Sequence, residues 1–422
     1  MFEQAFSPYL DRLPPVTYVP DFDPHSHPDG GENQWDGIRA LTFDGAPCRK
    51  EKTKVFAYIG FPAGASAAAP VPGVVLVHGG GGHAFAEWVK IWNDRGYAAI
   101  AMDTTGCYPS ETGQGRAGRE SDYATDWWRH GLYGPFAQPG YTDGPDNDEM
   151  ASSGQPWEEQ WMPHAIVATM GARNILAADP RVDAAKIGIT GVSWGGVITS
   201  LVIGYDPHYA FAIPIYGSAY LDVSLGWMGP IFSAEQTRAQ WSAASRLHRV
   251  ACPVLWMDWA SDTPFSINSN SLSYEATKAA GARHTAKVTM GHSHAGGWTQ
   301  EEGYIFADAA IGRRCPLTAM GDEPAVSRNE DGTYTVTATI IPAADGVEIA
   351  ASLVYITAPL SYSNPGEKST AVEQTWQTVS CRVEAGRVIG ILPPEAKEFY
   401  LSVTTVTAQG TYEVCSRFVQ GI

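Results

Sequence analysis

Basic residues are scarce in this chain: 28 lysines and arginines stand against 45 aspartates and glutamates in 422 residues, a formal charge of −17. So acidic a surface repels phosphate backbones and anionic headgroups, which excludes nucleic acids, anionic membranes and polyanions as partners. Long apolar runs are missing too. No stretch reaches the roughly 20 residues that a membrane-spanning helix needs, and the opening MFEQAFSPYLDRLPPV lacks the basic and apolar segments of a secretion signal. Cysteine is sparse and scattered (Cys48, Cys107, Cys252, Cys315, Cys381, Cys415), with no framework spacing. That pattern reads as thiols in a reducing compartment, so a cytoplasmic protein is expected. Metal-ligand clusters are absent as well. Two His-x-His pairs occur, His25 with His27 and His292 with His294, but neither has cysteines or carboxylates at ligand spacing. No metal and no cofactor are expected. Internal repeats and low-complexity tracts are also lacking.

What is present points to nucleophilic catalysis. The segment KIGITGVSWGGVI, residues 186–198, places Ser193 between Gly191 and Gly195 where an apolar run, Ile187 to Thr190, passes into a helical pattern from Val197 to Ile203. This is the G-x-S-x-G nucleophile elbow, in which the serine occupies a strained turn between strand and helix. Glycines two before and two after the serine let strand and helix approach closely. The helix start aims backbone N–H groups and the positive end of its dipole at the site, favouring an oxyanion.

Three further segments follow the order that such an elbow requires. Upstream, the apolar run Val74 to Val77 ends in His78-Gly79-Gly80-Gly81-Gly82-His83, the strand-then-HGGG arrangement of an oxyanion loop. The expected donors are the Trp194 N–H and one from Gly80 or Gly81. A phosphate loop is the rival, but no GK[ST] follows. A helix through Phe85, Trp88, Val89 and Trp92 and a buried strand from Tyr97 to Met102 come next. Downstream, CPVLWMDWASDTPF carries a strand, Val254 to Met257, followed by Asp258 and Asp262. Either could be a triad acid, and Asp262 has the loop residues needed to turn back toward a serine; the other is then an N-cap or a solvated turn carboxylate. Last, AKVTMGHSHAGGW gives a strand over Lys287 to Met290 and then His292 and His294. Chain order is therefore Ser, Asp, His.

The stretches GGGGHAFAEWVKIWNDRGYAAIAMDTTG, GVSWGG, IPIYGSAYLD, VLWMDWASDTPF and MGHSHAGGW resemble the acetylxylan-esterase-like branch of the α/β-hydrolases. This branch stands close to prolyl-oligopeptidase-type and dienelactone-hydrolase-like proteins. The resemblance spans residues 35 to 315. It implies an α/β-hydrolase fold with Ser193 as nucleophile, Asp262 as acid, His292 as base, and Gly80 and Gly81 opposite Trp194 as oxyanion hole. The family's usual glycine in the acid loop is replaced here by Trp259.

At 422 residues the chain exceeds one ordinary domain. Residues 1–320 read as the α/β-hydrolase part, a mostly parallel sheet covered by helices. After Pro324 the pattern turns to period two, at 333–341, 347–356, 375–383, 388–392 and 399–407, so residues 321–422 read as an Ig-like β-sandwich. A long insertion, about residues 104–160, is rich in glycine, proline and aromatic residues including Trp127 and Trp128. Its rings either stack on sugar faces above the site or pack the loop onto the sheet edge or onto a second copy of the chain, a homo-oligomer. His294, Trp127, Trp128 and Trp259 are candidate pocket residues. The expected activity is hydrolysis of short acyl esters, acetyl above all, of carbohydrates or similar hydroxyl compounds. A serine peptidase and a non-catalytic carbohydrate-binding scaffold are the alternatives.

Overall fold

The computed structural model describes residues 2–18, 37–48, 52–105, 153–343, 347–361 and 375–422. The pair His25–His27, Cys107, Trp127 and Trp128 lie outside the described residues. The chain divides into two compact units, Met1–Ala212 with Glu235–Ala251, and Ile213–Ala234 with Cys252–Ile422.

The first unit holds β1 (Val16–Tyr18), β2 (Ile38–Asp44), β3 (Lys54–Gly60), β4 (Val71–Val77), β5 (Ala98–Met102) and β6 (Val182–Val192), in spatial order β1-β2-β3-β5-β4-β6. Up to β5 the neighbours are antiparallel, and β4 then pairs in parallel with both β5 and β6. Every residue of β5 is buried, as are six of the seven in β4. Helices on both faces of a parallel sheet leave its strands no solvated side, which is why these strands are uninterrupted apolar runs. Helix Ala86–Asp94 buries Trp88, Val89 and Trp92, the stripe expected from their spacing. Helix Trp161–Ala178 is buried at every residue from Trp161 to Leu176.

The second unit carries β7 (Ala212–Ile215), β8 (Leu255–Trp259) and β9 (Arg283–Lys287) as parallel neighbours in that order. It also holds two antiparallel sheets. One contains β10 (Ala319–Arg328), β11 (Tyr334–Ile341), β14 (Arg382–Glu384) and β15 (Arg387–Leu392); the other contains β12 (Glu348–Ile356), β13 (Gln377–Ser380), β16 (Glu398–Thr407), β17 (Gly410–Cys415) and β18 (Val419–Gln420). Leu353 of β12 rests on Gly390 of β15, where a Cβ would meet its Cδ1 at 2.6 Å, so the two sheets face each other across a packed interior. The opposite face of the second sheet, where Val354 and its partner Tyr400 point, is packed as well. Val354, Ile356, Leu360, Tyr400, Cys415 and Phe418 form one buried cluster with Ala260, Ile267 and Ala286.

Three elements depart from the sequence reading. The last parallel strand is β9 at 283–287, not 287–290, because its buried His284 and Thr285 look polar in sequence yet donate, from Nδ1 and from the hydroxyl, to the carbonyls of Ser416 (2.7 Å) and Glu413 (2.8 Å). The expected strand 375–383 breaks at Cys381 into β13 and β14, which belong to different sheets. Strand β10 was not anticipated. It is an edge strand with register breaks on either side of Asp322, and such a place tolerates Pro324.

Candidate active site

The predicted residues fall in both units: Ser193, Trp194, Gly80 and Gly81 in the first, Trp259, Asp262, His292 and His294 in the second. In the first, β6 ends at Val192 and a helix begins at Trp194, leaving Ser193 alone to make the turn. Its backbone sits at φ 58 and ψ −121, a conformation that costs a non-glycine residue about 1–3 kcal/mol and persists where surrounding packing enforces it. The enforcement is visible. A Cβ at Gly191 would run into the Gly195 carbonyl, and one at Gly195 would run into the carbonyls of Val77 and His78. Strand β4, the elbow and its helix therefore touch backbone to backbone. The Val197 N–H donates to the Ser193 carbonyl at 3.0 Å, so the helix starts directly on the serine and its first-turn N–H groups point out of the helix end.

The glycine loop after β4 is a tight turn. Gly82 N–H donates to the Gly79 carbonyl at 3.1 Å, and Gly81, at the third position, has φ +72, as a type II turn requires. His78 braces it. The Thr104 N–H donates to His78 Nε2 at 3.0 Å, which makes Nε2 the acceptor and assigns the proton to Nδ1, directed at the Gly79 carbonyl 2.8 Å away. The Asp103 carboxylate lies 3.5 Å from Nε2 and takes the Thr105 N–H at 2.8 Å. Trp161 donates its indole N–H to the Thr104 carbonyl at 2.7 Å, and its ring meets Trp194 edge to face at 5.3 Å. Sequence reasoning missed this bracing by His78, Asp103 and Thr104. Its signal is a histidine opening the glycine run and D-T-T closing the next buried strand.

In the second unit, the Asp262 N–H donates to the Trp259 carbonyl at 2.9 Å, which closes a turn just past β8. Fully buried, Asp262 accepts from the Phe265 N–H at 2.8 Å on one oxygen and from His292 Nδ1 at 2.6 Å on the other. The imidazole is thereby held in the tautomer whose Nε2 can accept a proton, and its side chain is 26% exposed, open to a reactant. Asp258 has a different fate. It too is fully buried, but neither oxygen has a protein hydrogen-bond partner. Burial and then the charge of Asp262 push its carboxyl well above the usual range, while the nearby Asn270 amide, outside hydrogen-bond geometry, pulls weakly the other way.

Two aromatic residues near the histidine were not anticipated. Tyr216 stacks on the His292 ring at 4.5 Å and 28°, and Phe265 lies nearly parallel to it at 6.0 Å and 13°. Nothing in IPIYGSAY or in DTPF signals such contacts, which arise only when chain segments tens of residues apart meet. His294, buried, opens the short helix His294–Trp298 with its ring 6.2 Å from Trp298. Trp259 donates its indole N–H to the Val288 carbonyl at 3.0 Å, tying the end of β8 to the segment after β9. Among the described residues no group of three or more His, Cys, Asp or Glu could hold a metal ion.

The sheet with its covering helices and the glycine-flanked serine turn define the α/β-hydrolase class. Within it, the chain belongs to the dienelactone hydrolase family, whose family model matches residues 55–311, more than half of its length. No curated relative matches the sequence. Among solved structures, the chain is similar to an acetyl xylan esterase from Paenibacillus sp. R4, with 17% identity over 73% of this chain and 92% of that one and a TM-score of 0.49. Acetyl xylan esterase 1 from Thermoanaerobacterium sp. JW/SL YS485 shows 14% identity over 73% and 93%, with a TM-score of 0.48. An acylaminoacyl peptidase in complex with Z-Gly-Gly-Phe-chloromethyl ketone shows 15% identity over 64% of this chain at a TM-score of 0.44, and the chain spans only 41% of that peptidase.

Proposed function

We propose that this protein is a serine esterase that removes a short acyl group, acetyl above all, from a carbohydrate or similar hydroxyl compound. His292 Nε2 takes the proton of Ser193 Oγ as the oxygen attacks the ester carbonyl. The N–H groups of Trp194 and of Gly80 or Gly81 hold the tetrahedral oxyanion. Collapse expels the alcohol, which receives its proton from His292, and leaves an acyl-serine. Water, deprotonated by the same imidazole, then releases the acid. Asp262 keeps the imidazole in the required tautomer throughout.

The observation that carries this reading is the backbone of Ser193, a serine at φ 58 fixed by glycines that no other residue could replace. The resemblance of residues 35–315 to acetylxylan-esterase-like proteins supports the acyl group. A cytoplasmic location rests on composition; among the described residues no helix is long and apolar enough to cross a membrane. The test is a panel of p-nitrophenyl esters of increasing chain length beside acetylated sugars and aminoacyl amides. Fastest turnover on acetyl esters, abolished by Ser193→Ala, is the expected result. Preference for aminoacyl amides would make the protein a peptidase instead, and no turnover of any member would point to a binding role.

A further inference from the structure

Among the described residues, three that are not glycine have positive φ: Ser193, Tyr216 and Ala385. Ala385 precedes Gly386 in the hairpin between β14 and β15, where positive φ at both positions is what a two-residue turn demands. Ser193 is accounted for by the elbow. Tyr216, just past β7 at φ 61, is left over, and so bulky a side chain in that region is held there against its own preference.

Three contacts hold it. Its N–H donates to the Met257 carbonyl at 2.9 Å, its hydroxyl donates to the Gly291 carbonyl at 2.5 Å, and its ring stacks on His292 at 4.5 Å. The Ser293 N–H also faces the phenol oxygen. Tyr216 therefore grips the backbone on both sides of His292 while its ring face lies against the imidazole. Gly291, at φ +70, supplies the bend that turns its carbonyl to the phenol. We propose that Tyr216 is a positioning residue for His292: the hydroxyl tether fixes the imidazole's place, and the ring face stabilises the imidazolium that forms when His292 takes a proton. Burial, and then the charge of Asp262, push the phenol well above its ordinary range, so it stays protonated and remains a donor at any working pH. The proposal rests on His292 acting as the general base.

Two variants of the full chain separate the tether from the ring. Tyr216→Phe keeps the ring and removes the hydroxyl. Tyr216→Asn removes the ring with a residue that tolerates positive φ. The measurements are kcat and KM on p-nitrophenyl acetate, and an NMR titration of the His292 imidazole, assigned with His292→Ala. For Tyr216→Phe, kcat should fall about tenfold with KM within about twofold, as for loss of one hydrogen bond, and the His292 titration should stay in place. For Tyr216→Asn, the titration should move down by about half to one pH unit, and kcat should fall by about a hundredfold. An unmoved titration in Tyr216→Asn overturns the proposal. So does a Tyr216→Phe variant with kcat within twofold of wild type, which decides the matter alone if the asparagine variant does not fold. Because the titration needs no turnover, a protein that hydrolyses no ester yet shows the His292 shift would retain the role of Tyr216 and sink the hydrolase reading. A Ser193-dependent esterase without the shift would do the reverse.

Discussion

Acidification should loosen the second unit through one residue, His284. This side chain lies in β9, fully buried, with Nδ1 donating to the Ser416 carbonyl at 2.7 Å, Nε2 without a hydrogen-bond partner, and the ring stacked on Tyr274 at 5.6 Å. Burial outweighs the opposing pull of the Ser416 carbonyl and the Glu323 carboxylate and draws its pKa down from 6.5 to about 4. The folded state therefore refuses a proton that the unfolded chain accepts. Stability from the neutral histidine is fully present above pH 6.5, declines as the pH falls, and is gone below about 4. At about 1.4 kcal/mol per pH unit, that gap amounts to about 3 kcal/mol. Urea unfolding between pH 8 and pH 4, on wild type and His284→Asn, measures it. The asparagine amide can replace Nδ1 as donor to Ser416 but does not titrate. The variant should begin less stable, because its smaller side chain leaves a cavity. From pH 7 to pH 4 it should then lose about 3 kcal/mol less than wild type. Parallel curves for the two proteins would refute the argument, because His284 would then accept its proton as readily folded as unfolded.

The two aspartates should separate cleanly. Asp262→Asn should lower kcat by about ten-thousandfold by freeing the imidazole tautomer, whereas Asp258→Asn should stay within about tenfold of wild type on p-nitrophenyl acetate. Asp258→Asn should also unfold at higher urea at neutral pH but not at pH 3, since a raised carboxyl pKa makes wild type lose stability as the pH rises; a reversed ranking of activities would move the triad acid to Asp258. His292→Ala should cut kcat/KM by about a million-fold, and His294→Ala, which removes a ring beside Trp298, by far less; the opposite order in steady-state assays would shift the base by two residues. Gly195→Ala should cost at least about 3 kcal/mol in urea unfolding, because its Cβ would strike the Val77 carbonyl and neither backbone can give way. A variant as stable as wild type would mean that the elbow is not so tightly packed.

Legibility in the sequence followed the physics of each element. Strands β4, β5 and β8 were readable because they are apolar on both faces, and the elbow because close backbone approach admits only glycine at 191 and 195. Strand β9 was displaced by four residues at its start because buried His284 and Thr285 donate to the carbonyls of Ser416 and Glu413, more than a hundred residues away. Strand β10, an exposed and bulged edge, carries no alternation to read. The choice between Asp258 and Asp262 was open because both follow the same apolar run; what separates them is which one meets His292, a contact made across thirty residues. Tyr216 was invisible for the same reason. Its role depends on a positive φ and on a loop 75 residues further on.

If the pair of His292 and Asp262 activates Ser193 as a nucleophile, this serine should react covalently with an electrophilic probe. The full chain is treated with a fluorophosphonate, its intact mass is read, and the modified peptide is sequenced, in parallel with His292→Ala. One adduct per chain is expected, on Ser193, formed rapidly in wild type and slowed by several orders of magnitude in His292→Ala. An adduct on any other residue, or no adduct on a folded protein, would contradict that activation.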